Sequence, residues 1–228
     1  MIIELQNISK HYQNGEGDKQ EVLKDISLKV PAGGSLAIVG PSGSGKSTLL
    51  NIIGTLDKPD SGILKFKGSD PASLNENQLA DLRNQEIGFV FQMHLLLPQL
   101  TLLENVLLPV LTKKGKHIMK EAEKRANELL DFVGLSGHIN KKPGQLSGGE
   151  CQRAAVVRAL INNPYVILAD EPTGSLDHDS ATQVGELLCK INDKQNIAIV
   201  LVTHSLDLAK KMRNIYKLDN GILKLLSD

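Results

Sequence analysis

The sequence has no excess of either charge: 26 Lys and Arg stand against 26 Asp and Glu in 228 residues. That balance gives the chain as a whole no electrostatic pull toward nucleic acid or an anionic membrane, and no nucleic-acid partner is expected. Lys113-Lys114-Gly115-Lys116-His117 is the one basic run, read as a solvated loop entering a helix. Cysteine is nearly missing. Cys151 and Cys189 stand at no metal-type spacing, which fits a reducing, cytoplasmic setting. No apolar run reaches the ~18 residues of a membrane span. The richest stretch, 87–111, is broken by Gln92, His94, Pro98, Gln99, Glu104, Asn105 and Pro109. Met1 to Gln6 lacks the charged-then-apolar pattern of a signal peptide. Internal repeats and low-complexity segments are absent too. The expectation is a cytoplasmic chain that reaches any membrane through another protein.

What is present is a phosphate-binding loop, Gly40-Pro41-Ser42-Gly43-Ser44-Gly45-Lys46-Ser47-Thr48, with G-x-x-x-x-G-K-[ST] spacing. Ser35 to Val39 before it reads as a buried strand, and Thr48 to Ile53 after it read as a helix. The glycines let backbone N–H groups turn toward an anion, and the helix start adds unpaired N–H groups and the positive end of its dipole. Lys46 can reach the β- and γ-phosphates of a nucleoside triphosphate, and the Ser47 hydroxyl can hold Mg²⁺. ATP and Mg²⁺ are the expected ligands.

Taken in order, residues 2–8 and 22–30 read as strands, with Tyr12 in a polar loop that continues over 13–20. No helix separates them from the phosphate-loop strand, so a small, partly antiparallel sheet is expected. A strand at 63–67 follows, then a helix over 75–84 capped by Ser73 or Asn75. Ile87 to Phe91 is an apolar strand ending at Gln92. Thr101 and Glu104 have capping-box spacing, 118–134 is an amphipathic helix stopped at Gly134, and another helix runs from the Leu146–Glu150 motif to about Leu160. Val166 to Ala169 and Ile197 to Val202 are buried strands on either side of a helix over 180–193. Ser205 caps a short helix, and Asn220-Gly221 marks a hairpin within 213–226. Continuous apolar strands alternating with helices argue an α/β fold with a parallel sheet covered on both faces. Gln92, Asp170, Glu171 and His204 gather at strand C-termini, the edge where such sheets bind ligands.

Asp170 and Glu171 end an apolar strand downstream of the phosphate loop. The aspartate can hold Mg²⁺ through water, and the glutamate, aimed elsewhere, can polarise an attacking water. Leu146-Ser147-Gly148-Gly149-Glu150 repeats the anion-binding device: small residues and a hydroxyl at a helix N-terminus. A γ-phosphate already cradled by Lys46 has little need of it, so its economical use is on ATP held by a second copy.

Gly40–Thr48, Gln92, Leu146–Glu150, Val166–Glu171, Ser175-Leu176-Asp177 and His204 together resemble the ATP-binding-cassette (ABC) ATPases over essentially the whole chain. The resemblance implies one ATP-binding domain over 1–228: a P-loop NTPase core with an N-terminal antiparallel β-subdomain and an inserted α-helical subdomain at about 93–161. It implies that Tyr12 stacks on adenine and that Gln92 contacts Mg²⁺ and the attacking water. Ser147, Gly148 and Gly149 would contact the γ-phosphate bound by the opposite subunit. Asp177 would lie at the dimer interface, and His204 would bond the γ-phosphate. Glu171, His204, Lys46 and Gln92 are the expected catalytic residues, and Ser47, Gln92 and Asp170 the metal-site residues. Cys151 stands where a polar residue is frequent. It is read as a packing residue, with a lowered thiol pKa in the first helical turn as the alternative.

Within the family, Leu82 to Pro98 with Leu100–Val106 and Pro109 looks like the ATPases of lipoprotein-releasing transporters, whose relatives power macrolide and peptide efflux and a cell-division complex. The resemblance implies that Met93, His94, Leu95, Leu96 and Leu97 line a groove for a cytoplasmic helix of an integral membrane permease subunit. No C-terminal regulatory domain is expected after the Asn220-Gly221 hairpin. The expected protein is thus a homodimeric ATPase of an exporter, peripheral on the inner face of the cell membrane. A signalling complex that regulates cell-wall hydrolases is the first alternative. A P-loop metabolic kinase is the second, disfavoured by the Leu146–Glu150 motif and by the lack of an Arg-rich lid.

Overall fold

A computed structural model describes residues 1–13, 19–112 and 116–226. Residues 14–18 of the polar loop and 113–115 of the basic run lie outside these. The sequence first builds a three-stranded antiparallel sheet, ordered β2-β1-β4, from β1 (Ile3–Gln13), β2 (Lys19–Val30) and β4 (Ser61–Phe66). Tyr12 sits inside β1, not in a loop after it, because the ladder continues through the polar residues: His11 pairs with Glu21 and Tyr12 with Gln20. Cross-strand pairing here overrides a composition that reads as a loop.

The second sheet holds β3 (Ser35–Val39), β5 (Ile87–Val90), β6 (Val166–Asp170), β7 (Ala198–Val202), β8 (Asn214–Asp219) and β9 (Ile222–Leu226). Their order is β5-β6-β7-β3-β8-β9, parallel except for the β8–β9 hairpin. Alternation along each central strand divides it between two cores. Leu36, Ile38, Val166, Leu168, Val200 and Val202 face one; Ala37, Val39, Ile167, Ala169, Ile199 and Leu201 face the other. With both faces dry, the strands read as unbroken apolar runs.

The first core is closed by α1 (Lys46–Ile53) and the three-stranded sheet, through Leu49, Ile52, Ile53, Ile3, Leu5 and Ile26. The second core takes α3 (Leu102–Leu107), α4 (Lys116–Phe132), α5 (Gly148–Leu160) and α6 (His178–Gln195). The short α7 (Leu206–Ala209) adds Leu208 and Ala209, with Ser205 as its cap. α2 (Glu76–Glu86) starts on a capping box between Asn75 and Gln78, so Asn75 and not Ser73 is its cap. Asp177 accepts the Ser180 N–H at 2.9 Å and thereby starts α6 two residues ahead of its apolar periodicity.

Two polar side chains fix the helical layer. Asn105, fully buried on α3, accepts the Leu97 N–H and donates to the Leu97, Leu100 and Thr101 carbonyls, tying down the chain between β5 and α3. Arg125 on α4 donates to the carbonyls of Leu160 and Ile161. Those carbonyls lie at the C-terminal end of α5, where Leu160 also accepts the Asn163 N–H, and a guanidinium there complements the negative end of the helix dipole.

Candidate nucleotide site

β3 delivers the chain to the C-terminal edge of the large sheet, and the loop from Gly40 turns into α1. Gly45 is the N-cap of α1 at φ +99°, where a Cβ would stand 2.9 Å from the Val22 carbonyl oxygen; both the turn and its contact with β2 require glycine. Lys46 is buried, and its ammonium donates to the carbonyls of Gly40 (3.0 Å) and Pro41 (2.8 Å). An ammonium has three donors, so one remains beyond these bonds. Ser44 is 7% exposed, and its hydroxyl has no partner among the described residues. Pro41, Ser42, Gly43 and Ser47 are exposed, and Thr48 is half-buried at the first turn of α1. A buried cation and an orphaned hydroxyl at a helix N-terminus fit the charge and hydrogen-bonding demand of a polyphosphate.

Asp170, at the end of β6, lies beside the Ser47 side chain and within reach of the Lys46 charge. Burial pushes its carboxyl above the usual carboxylate range, the adjacent Ser47 hydroxyl pulls it back, and the neighbouring Glu171 charge raises it again. An under-solvated carboxylate beside a hydroxyl is an oxygen donor set suited to a hard cation such as Mg²⁺. The donor pair expected from sequence therefore meets in space.

Glu171 leaves the strand in the left-handed region, φ +47°, while its N–H still bonds the Val202 carbonyl of β7. For a glutamate that conformation costs about 1 kcal/mol, a strain of the kind retained at functional sites. It swings the carboxylate away from Asp170 and onto His204. Oε2 lies 2.9 Å from His204 Nδ1 and accepts the His204 N–H at 3.2 Å. The Glu171 side chain is 16% exposed and the His204 side chain 70%, so the histidine is the outward member of the pair.

Gln92, just past β5, packs its side chain on Gly174, where a Cβ would stand 3.1 Å from Nε2. Its carbonyl accepts the Ser175 hydroxyl at 3.0 Å, and the Gly174 N–H bonds the Glu171 carbonyl. The segment after Glu171 thus holds Gln92 beside the Asp170–Glu171 corner. The sequence marks Ser175 only as part of a motif and carries no signal of the backbone acceptor it serves.

Ser147, Gly148 and Gly149 open α5. Ser147 accepts the Glu150 N–H (3.2 Å), and the Glu150 carboxylate accepts the Ser147 N–H (2.7 Å), which holds that carboxyl below its usual range. Gly149 lies against α6: a Cβ there would stand 2.8 Å from Ser180 Cβ. Among the described residues, no hydrogen bond or ion pair joins 147–150 to the phosphate loop. The structure assembles Lys46, Ser47, Asp170, Glu171, His204 and Gln92 on one edge and leaves the second anion-binding helix start outside that set.

Tyr12 reaches the site from β1. Its hydroxyl donates to Asp57 Oδ2 at 2.8 Å and lies beside the Thr48 side chain, while the residue stays 42% exposed. Asp57 carries no motif and was invisible in the sequence.

Cys151 is 2% exposed, its thiol faces the Pro143 carbonyl, and burial pushes its pKa up. It is a packing residue and not an activated thiol. Treating the folded protein with a maleimide is expected to leave ATP hydrolysis at its untreated rate. Loss of activity that tracks modification of Cys151 would contradict this.

Along 93–97 the side chains divide. Met93, Leu95 and Leu97 are exposed, whereas Leu96 is buried in the second core and cannot line a groove. Arg158 of α5 donates to the carbonyls of Leu95 (2.7 Å) and His94 (2.8 Å). Beside this loop lies an open groove of about 430 Å³, with Leu56, Arg83, Phe89, Phe91, Pro109 and Arg158 among its lining residues. No described helix is long and apolar enough to cross a membrane.

Comparison with known proteins bears on this geometry. The family model described as ABC transporter matches residues 23–174. The lipoprotein-releasing system ATP-binding protein LolD of Legionella pneumophila (strain Paris) is 46% identical over 223 residues, 98% of this chain and 97% of that protein. The macrolide export ATP-binding/permease protein MacB of Syntrophobacter fumaroxidans is 45% identical over 98% of this chain, which spans 31% of that longer protein. Among solved structures, the dimeric post-hydrolysis state of the ATP-binding cassette MJ0796 bound to ADP and Pi superposes with a TM-score of 0.88. It is 42% identical, with 99% of each chain covered.

Proposed function

This chain belongs to the ABC transporter family of ATP-binding proteins, and from that premise we propose that it is the ATP-hydrolysing subunit of a lipoprotein-releasing transporter. It works as a head-to-tail homodimer on separate integral membrane subunits, at the cytoplasmic face. The observation that carries the catalytic reading is the division of the site: one edge gathers Lys46, Ser47, Asp170, Glu171 and His204, and the Ser147–Gly149 helix start is left free of it. The near-full-length likeness to a lipoprotein-releasing ATPase supports the transport class.

In this reading Gly40–Thr48 cradle the triphosphate, with the Lys46 ammonium moving from its carbonyls onto phosphate oxygens. Tyr12 stacks on adenine. Ser147, Gly148 and Gly149 contact the γ-phosphate held by the partner subunit. Ser47, Asp170 and Gln92 would hold Mg²⁺, which supplies positive charge against the charge developing on the phosphate oxygens. Glu171 takes the proton of the attacking water, and His204, fixed by Glu171 and still outward, bonds the γ-phosphate. Residues 93–161 serve as the helical subdomain that carries the membrane contact, through the exposed side chains of Met93, Leu95 and Leu97 and the groove beside them.

Tagged, full-length chain should co-purify with a membrane protein having four predicted spans and a large extracytoplasmic domain. Replacing both Met93 and Leu95 by Glu should lower that recovery about tenfold, as for loss of interface anchors, with the thermal unfolding midpoint unchanged. Failure to recover such a partner contradicts the transporter reading, and undiminished recovery with the double variant contradicts the docking surface.

A further inference from the structure

We propose that Asp57 and Lys10 form a bracket that sets the ring of Tyr12 for a nucleobase, making both of them positioning residues for the base half of the nucleotide site. This rests on the reading of Tyr12 as the base contact. An exposed tyrosine near a strand end is free to sample rotamers, and ordering it when a ligand arrives costs affinity. Here that freedom is already removed. The Tyr12 hydroxyl donates to Asp57 Oδ2 at 2.8 Å and lies beside Thr48. Lys10 Nζ stands over the ring, 5.4 Å from its centroid. With a cation on one face, the opposite face is the one assigned to the base.

The bracket is itself immobilised. Lys10 is 9% exposed, and a buried ammonium must be paired. It donates to Asp57 Oδ1 (2.8 Å) and the Lys58 carbonyl (2.6 Å), and stands 3.9 Å from Asp60 Oδ1. Asp57 Oδ1 also accepts the Lys58 N–H at 2.7 Å. Asp57 lies four residues past α1, whose first turn closes the phosphate loop. One carboxylate therefore ties the strand bearing Tyr12 to the exit of the helix bearing Lys46, fixing the span from base to phosphate across the site.

The test compares ATP with inorganic tripolyphosphate, which has the phosphates and no base, on the full-length protein and its Asp57→Asn, Tyr12→Phe and Tyr12→Ala variants. Asp57→Asn keeps the volume and weakens the bracket; Tyr12→Phe removes only the hydroxyl. Each should raise the ATP KM about fivefold, the scale of lost preorganisation, with the tripolyphosphate inhibition constant unchanged. For Asp57→Asn, kcat should stay within about twofold. An unchanged KM, or equal weakening of ATP and tripolyphosphate, overturns the bracket; equal weakening would make the network a fastening of the turn to β1. Tyr12→Ala reports on the underlying reading. If it leaves ATP affinity intact, Tyr12 is not the base contact; if it weakens ATP and Asp57→Asn does not, only the bracket falls.

Discussion

Glu171→Gln is expected to slow ATP turnover about a thousandfold, in the range lost with a general base, while ATP stays bound and holds two copies together. The substitution keeps the shape of the side chain, and its amide oxygen can still accept the His204 N–H that Glu171 now accepts at 3.2 Å. What it removes is the capacity to take a proton. Residues on the binding edge, Lys46 with its two carbonyl partners and Ser47 with Asp170, are untouched. Binding and hydrolysis should therefore separate in one variant. Phosphate release gives the rate, and light scattering behind a sizing column, with and without ATP, gives the mass. Hydrolysis near the wild-type rate would remove Glu171 as the base; a monomer in saturating ATP would remove ATP-driven pairing.

Mixing two inactive variants should restore activity. Ser147→Arg spoils the helix start that, in the proposed pair, serves the partner's nucleotide, and leaves its own phosphate loop intact. Lys46→Ala does the reverse. In a head-to-tail pair, one site then joins the intact loop of the first variant to the intact helix start of the second, and the other site collects both defects. With random pairing, half of the dimers are mixed and each has one sound site of two, so about a quarter of wild-type activity returns if sites act independently. Each variant alone should show none. The separation of 147–150 from the phosphate loop is the reason to expect this, because a helix start that served its own loop could not be complemented in trans. Absence of any recovery, with both variants folded and mixed dimers detected, would contradict the shared site.

The elements most legible in the sequence were those whose local chemistry is sufficient in itself. The central strands are apolar on both faces because the sheet is covered on both, so β3, β6 and β7 could be placed within a residue or so. Thr101 with Glu104 is a capping box in space as it is in spacing. Tyr12 was misplaced into a loop because the ladder that continues β1 through it pairs polar residues, and only the partner strand reveals that. Leu96 was grouped with its exposed neighbours because a run of leucines gives no sign of which one turns inward; Leu95 at φ +49° breaks the run, and Leu96 drops into the core. The Asp57–Tyr12 bond and the grip of Arg158 on the His94 and Leu95 carbonyls span 45 to 64 residues of sequence, and long-range pairs of this kind leave no local pattern.

The Arg158 contact has a mechanical side. α5 carries Ser147–Gly149 at one end and Arg158 in its last turn, and 13 residues of helix form a rod of about 20 Å. Arg158 clasps the 94–95 backbone, and Arg125 clasps the carbonyls at the end of the same rod. A displacement of the 93–97 loop is therefore applied to one tip of a stiff beam whose other tip is the anion-binding start. Because Gly149 presses on Ser180, that second tip rests on α6 as on a fulcrum. If the 93–97 loop takes the proposed membrane contact, the beam would convert a small push there into a change of tilt at the helix start that the proposed pairing offers to a neighbouring subunit.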